Sequence, residues 1–237
     1  GISSAMENIK IDIGDVIVEG RKSIGSFDYY SAAMMTMFIL FAASHGGRML
    51  LEEKENITYQ RMIIAGTPKL CILAGKFFTV FLIALLQMSI MITFSHFILK
   101  VRWGNTSAII FISLSAAFAV AGIGCALAAA TYRSGNYKMA DFFETAVLQT
   151  MALLGGSFFP TEVLPSMLQK LSFLSINGVA LKAYLKIMKG YGTADVISNI
   201  VLLSVVGVFF ILLSLLILWK DGGMRDARYN KIETVKA

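Results

Sequence analysis

The chain has 237 residues, of which 57% are hydrophobic and 15% charged, with a net charge of +6 and a mean hydropathy of +0.71. Soluble domains carry about 25% charged residues, so these values exclude an ordinary soluble domain and point to one membrane domain. The positive charge is spread over loops and a tail, with no basic stripe interleaved with aromatics, which suits anionic lipid and speaks against a nucleic-acid partner.

Residues 1–28 are polar. Ile9, Ile11 and Ile13 alternate with Lys10 and Asp12, and Val16, Ile17 and Val18 follow. This predicts one or two short strands with a turn at Gly14-Asp15. The piece is too small to bury a core and reads as the remnant of something larger. No basic n-region followed by an apolar h-region opens the chain, so no signal peptide is expected and the chain reads as a fragment or a processed product.

Five apolar runs follow, at about 29–47, 70–99, 107–131, 141–159 and 196–219. About 20 apolar residues cross a bilayer as a helix, and backbone groups in lipid must pair within their own segment. Five membrane helices are therefore expected. Tyr29-Tyr30 suits a headgroup interface. In the third run Ala117, Ala121, Gly122, Cys125 and Ala126 repeat small residues at close spacing. This lets helix backbones approach in lipid, either at the centre of the bundle, at a subunit contact, or in ordinary packing within one chain.

The charge-dense stretch from Arg48 to Arg61 cannot sit in lipid and must stand in water. Arg48, Glu52, Glu55 and Tyr59 recur three or four apart, which predicts one helical face with Arg48 paired to Glu52. Pro68 then stops the helix. With the C-terminus cytoplasmic, the inside segments 48–76, 132–140 and 220–237 hold 12 of the 21 Lys and Arg residues. This places the N-terminus outside. Between the fourth and fifth runs, Leu164, Met167, Leu168, Leu171 and Leu174 fall at helical spacing. After Asn177-Gly178, Lys182, Lys186 and Lys189 share a face beside Leu181, Leu185 and Met188. The stretch 161–190 therefore predicts amphipathic helices in the outer interface, serving as a lid or as anchors.

Few groups carry chemistry. Cys71 and Cys125 sit in apolar runs with no CxxC motif. His45 and His96 have no partner at metal spacing, and HExxH and GxS-type elbows are absent. Gly75-Lys76 resembles the end of a P-loop, but Leu70 and Phe77 stand where Gly and Ser or Thr are required. Lys76 is expected to snorkel to the cytoplasmic interface. At depth only Gln87, Gln149 and Thr150 are polar, and no buried carboxylate pair is present. This argues against a proton-coupled carrier and leaves transport powered from outside.

Taken in order, Ser26-Phe27-Asp28-Tyr29-Tyr30, Glu52-Glu53-Lys54-Glu55 through Arg61, Ala65-Gly66-Thr67-Pro68, Gly75-Lys76, Gly155-Gly156-Ser157-Phe158-Phe159-Pro160, Leu164-Pro165 and the Asn177–Leu181 region resemble the permeases of ABC type-2 transporters. The resemblance implies an all-α integral membrane protein, the C-terminal part of a six-helix permease. Residues 1–28 would end an extracellular region, 29–219 form the transmembrane domain and 220–237 a cytoplasmic tail. Ile176 stands where members often carry Pro. The resemblance further implies that Glu52, Glu53, Glu55, Arg61, Thr67 and Pro68, within a coupling segment 48–68, dock a cytoplasmic ABC ATPase. ATP and Mg would be bound by that partner, with no cofactor on this chain. It implies helix packing through Ala117, Ala121, Gly122 and Ala126, an outer gate near Phe159, Pro160 and Pro165, and a second permease as homodimer or heterodimer partner. The expected function is ATP-driven export of a drug-like, lipid-like or other amphiphilic compound from a bacterial plasma membrane by alternating access. The alternatives are a membrane scaffold or sensor that docks a soluble protein, and an intramembrane enzyme.

Overall fold

A computed structural model describes residues 24–160, 172 and 175–220. The strands expected within residues 9–18, most of the first amphipathic helix, Pro165 and the tail 221–237 lie outside the described residues. Among the described residues every regular element is helical.

Helix α1, Ser26–Glu55, opens with the Gly25 N–H donating to Asp28 Oδ2 at 3.2 Å. This sets a carboxylate at the positive end of the helix dipole. At 1.5 Å per residue its 30 residues measure about 45 Å. A hydrocarbon core is about 30 Å thick, so the charged last turns of α1 stand beyond lipid. The helix ends at Glu55 because Ile57 turns left-handed, with φ 62. Helix α2, Thr58–Ile64, therefore starts afresh, and Tyr59 does not continue the face of Arg48 and Glu52 as the spacing predicted. Gly66, with φ +80, closes α2: its N–H bonds to Ile63 O at 3.0 Å and the Thr67 N–H to Met62 O at 3.0 Å. This is the paired bond pattern of a Schellman stop.

Helix α3, Lys69–Phe97, leads through a short loop to α4, Thr106–Ser134. The Asn105 side chain caps α4, accepting from the Ser107 N–H at 3.0 Å. The last long helix is α8, Ile197–Lys220. Four helices, α1, α3, α4 and the one ending in α8, are long and apolar enough to cross a membrane. In the most apolar window of each, 67% of α1 and 78% of α4 is buried, against 17% for α3 and for α8. So α1 and α4 form the interior, while α3 and α8 turn apolar flanks outward. On α3 the exposed Phe78, Leu82, Leu86, Ile90 and Phe94 recur every fourth residue, the lipid-facing stripe expected of a flanking helix.

The small residues of α4 explain its central place. A Cβ on Gly122 would meet Gly207 O of α8 at 2.5 Å, and one on Gly46 of α1 would meet Val80 of α3 at 2.4 Å. Ala117 and Ala121 are fully buried on the same helix. Gly124 lies against the backbone of Ala43 and Gly46 on α1 and against the Val80 side chain of α3, so small residues let α4 approach α1 and α8 at backbone distance.

The run expected as a fourth span folds differently. It is a continuous series of α5, Lys138–Phe142, a π-helical turn, Phe143–Val147, and α6, Leu148–Leu154. These pieces of 5, 5 and 7 residues measure about 25 Å. The series stops at Gly156, with φ +85, where the Ser157 N–H bonds to Ala152 O at 2.9 Å. It is not among the four long apolar helices. Helix α7, Ile176–Met188, is the second of the expected amphipathic helices, but it does not lie on the surface. Ile176, Val179, Ala180, Leu181, Ala183, Tyr184 and Ile187 are buried against the bundle. Its lysines reach polar atoms at the rim instead: Lys182 Nζ donates to Ser172 Oγ at 2.5 Å and Lys186 Nζ to Asp195 O at 3.2 Å.

Candidate functional site

The charged end of α1, α2 and the start of α3 form one platform. Arg48 does not pair with Glu52 along its own helix. Its Nη2 reaches Asp141 Oδ1 at 2.8 Å and Glu144 Oε2 at 2.9 Å, on the neighbouring α5 and π-turn. Ser44 Oγ donates to the same Glu144 oxygen at 2.7 Å. Two carboxylates across an interhelical groove hold a planar guanidinium better than one flexible glutamate a turn away in water. Lys76 does not snorkel free: it pairs with Glu53, its side chain only 13% exposed, and ties α3 to α1. The other Glu53 oxygen is buried with no hydrogen-bond partner among the described residues.

Two tyrosines, Tyr132 in the last turn of α4 and Tyr137 in the turn to α5, complete the mount. Tyr137 Oη donates to Glu55 Oε2 at 2.6 Å. That bond first, then burial and the charges of Glu55 and Glu52, push the phenol up to about 12. A raised value means the contact is fully present below the ordinary phenol value of about 10 and is lost as pH rises through about 12. The Tyr132 ring lies 4.8 Å from that of Tyr59 and 4.7 Å from Lys54 Nζ, a cation–π arrangement. Beneath them Leu50, Tyr59, Ile72, Leu73, Cys125, Ala128, Ala129 and Leu218 make a small separate apolar cluster. The platform thus presents exposed Glu52 and Arg61, which make no side-chain hydrogen bond or ion pair among the described residues. Ile57 and Ile64 stand beside them, 54% and 85% exposed. Thr67 is half-buried and Pro68 exposed at the turn into α3.

At the opposite end, distant stretches of sequence meet. Asn177, fully buried, donates from Nδ2 to Ser157 Oγ at 2.9 Å, and the single proton of Ser175 Oγ has two acceptors in reach, Asn177 Oδ1 and Met151 O, the latter at 2.7 Å. A Cβ on Gly155 would strike Asn177 at 2.5 Å. Tyr29 Oη, at the start of α1, donates to Gly156 O at 2.6 Å. Phe159 is exposed and Pro160 half-buried just beyond this knot. Among the described residues no three His, Cys, Asp or Glu side chains come together in a way that could hold a metal ion.

The model of the family described as ABC-2 family transporter protein matches residues 2–216. The chain belongs to the ABC-2 transporter family. It is similar to the linearmycin resistance permease protein LnrN of Bacillus subtilis (strain 168), 25% identical over 142 residues. That match covers 60% of this chain and 36% of the relative, so the chain spans well under half of the relative's length. As a member of the ABC-2 family, the protein is a multi-pass membrane protein.

Of the residues singled out from sequence, Glu52, Glu53, Glu55, Arg61, Thr67 and Pro68 gather on the platform, and Ala117, Ala121, Gly122 and Ala126 are buried along α4. Phe159 and Pro160 lie near the Asn177 knot, while Pro165 lies outside the described residues. Sequence reasoning missed the roles of Ser44, Tyr132, Tyr137, Asp141 and Glu144. A signal was there: an arginine at the end of an apolar run needs a counter-charge at its own depth, and Asp141 and Glu144 open the fourth apolar run.

Proposed function

We propose that this chain forms the membrane-spanning permease part of an ATP-driven ABC exporter. The observation that carries the reading is the platform: free charges Glu52 and Arg61 flank exposed Ile57 and Ile64, on a mount locked to three helices through Glu53–Lys76, Glu55–Tyr137 and Arg48–Glu144. Exposed apolar residues ringed by charge suit a protein interface. A rigid mount passes movement to the bundle rather than absorbing it. The platform faces the cytoplasm, where a separate ATPase subunit binds ATP and Mg. A second permease, identical or related, completes the assembly. Closure of the ATPases pulls on the platform, and the bundle switches access from one side to the other. The charge-poor helices suit a drug-like or lipid-like cargo, and that the Bacillus relative is a resistance permease supports export.

The test is co-purification of the full-length permease with its ATPase. Glu52→Lys and Ile64→Asp change exposed groups that no internal contact needs, so each lowers ATPase recovery about tenfold, the loss of about 1.4 kcal/mol, while membrane insertion is unchanged. Glu55→Ala lowers it too, through both the partner and Tyr137. Full recovery with Glu52→Lys and Ile64→Asp together sinks the reading and leaves a scaffold that docks something else.

A further inference from the structure

At the end of the bundle away from the platform, a cavity of about 610 Å³ lies between the second half of α3 and the start of α4. Its wall is mostly apolar, with Leu85, Ile92, Ile109, Ile110 and Leu114 interspersed with the hydroxyls of Ser89, Thr93, Thr106 and Ser113, and its mouth carries His96 and Arg102. Of these hydroxyls, Ser89 donates to Leu85 O of its own helix at 2.8 Å and Ser113 pairs with Tyr184 Oη at 2.7 Å. From Leu85 to His96 the helix rises about 16 Å, half of a hydrocarbon core of about 30 Å. The crevice is as deep as one leaflet, and exposed Leu86, Ile90, Ile110 and Leu114 open it sideways towards lipid.

The mouth is built rather than loose. Val101 and Trp103 are buried, and Arg102 between them is exposed. Trp103 Nε1 donates to Ser95 Oγ at 3.0 Å and its ring meets Tyr184 edge-on at 5.7 Å. The Val101 N–H bonds to Ser95 O at 3.1 Å, and its carbonyl lies 3.2 Å from His96 Nδ1. These anchors hold Arg102 at the rim, beside the positive end of α4. Among the described residues neither Arg102 nor its neighbour Lys100 makes a hydrogen bond or an ion pair. A guanidinium without a carboxylate, carried on an anchored loop above a leaflet-deep and mostly apolar slot, matches a phosphate carrying an acyl chain.

We infer that this crevice is a binding site for one anionic phospholipid of the leaflet opposite the platform, its phosphate on Arg102 and one acyl chain between α3 and α4. The site needs only that the chain spans a membrane and is independent of the export reading. The headgroup fixes selectivity, because bulk lipid offers any chain equally.

Native mass spectrometry of the full-length permease, titrated with phosphatidylglycerol or phosphatidylcholine of the same chains, tests it. The expected result is a phosphatidylglycerol adduct that survives activation removing phosphatidylcholine. Arg102→Ala reduces it at least fivefold, Arg102→Lys only partly, and Thr93→Phe, which fills the slot, also removes it. Residue 102 is exposed, so its variants fold, and retention by Arg102→Lys separates the headgroup contact from any general damage. Glycerol 3-phosphate in excess leaves the adduct in place, because the chain as well as the phosphate is held. Equal adducts of both lipids in the wild type, an adduct untouched by Arg102→Ala, or displacement by glycerol 3-phosphate would each overturn the inference.

Discussion

Arg48 shows how one side chain settles a local question that spacing leaves open. Its partners are Asp141 and Glu144 on a neighbouring element, not Glu52 one turn along. With side chains 29% to 57% exposed, the pairs are partly screened. A double-mutant cycle of Arg48→Ala with Glu144→Ala, read by thermal unfolding in detergent, is therefore expected to give a coupling of about 0.5–1 kcal/mol. A coupling of zero would make Arg48 a bystander in the mount. The handle's charges were legible in the sequence because lipid forbids them. The partner was not, because helix register fixes which residues are near in one helix but not which helices face each other.

Helix α4 carries the strongest element-scale argument. A methyl added to Gly122 meets the Gly207 backbone, which cannot rotate away, and one added to Gly207 meets the ring and then the carbonyl of Phe118 on α4. Gly122→Val and Gly207→Val are each expected to destabilise the bundle by about 1–3 kcal/mol through overpacking. Gly75 on α3 has nothing within 4 Å of its would-be Cβ. Gly75→Ala should then be neutral or stabilising by up to about 1 kcal/mol. Matching thermal shifts for all three would refute the packing argument. The small-residue pattern of α4 was visible from sequence, since little else explains alanines and glycines at such spacing. Two other features were hidden. A left-handed turn at Ile57 has no sequence signal, because β-branched residues avoid that region. The lysines of α7 suggested a surface helix, yet long stems let charged heads reach the rim while the helix is buried.

For the whole molecule, composition fixed the class but not the layout. Hydropathy marked five runs, while four helices have the length and apolarity to cross a membrane, and the remaining run is interrupted by a π-turn. Stretches far apart in sequence meet only in space, where Gly155, Ser157, Ser175 and Asn177 converge. Orientation is open to a direct test. Cys71 is exposed near the platform and Cys125 is buried in α4. A membrane-impermeant maleimide should label Cys71 in inside-out vesicles several-fold more than in intact cells, with Cys71→Ser abolishing that signal and Cys125 unreactive. The reverse sidedness would turn the topology over. One further consequence follows from the length of α1. The same unbroken rod carries Arg48 at one end and, about 29 Å away along its axis, Tyr29 bonded to Gly156 at the other. It works as a lever whose two ends are both fastened. A tilt of about 10° shifts one fastening by about 5 Å relative to the other, more than a hydrogen bond can stretch. Either the platform and the Asn177 knot move together, or one of them lets go.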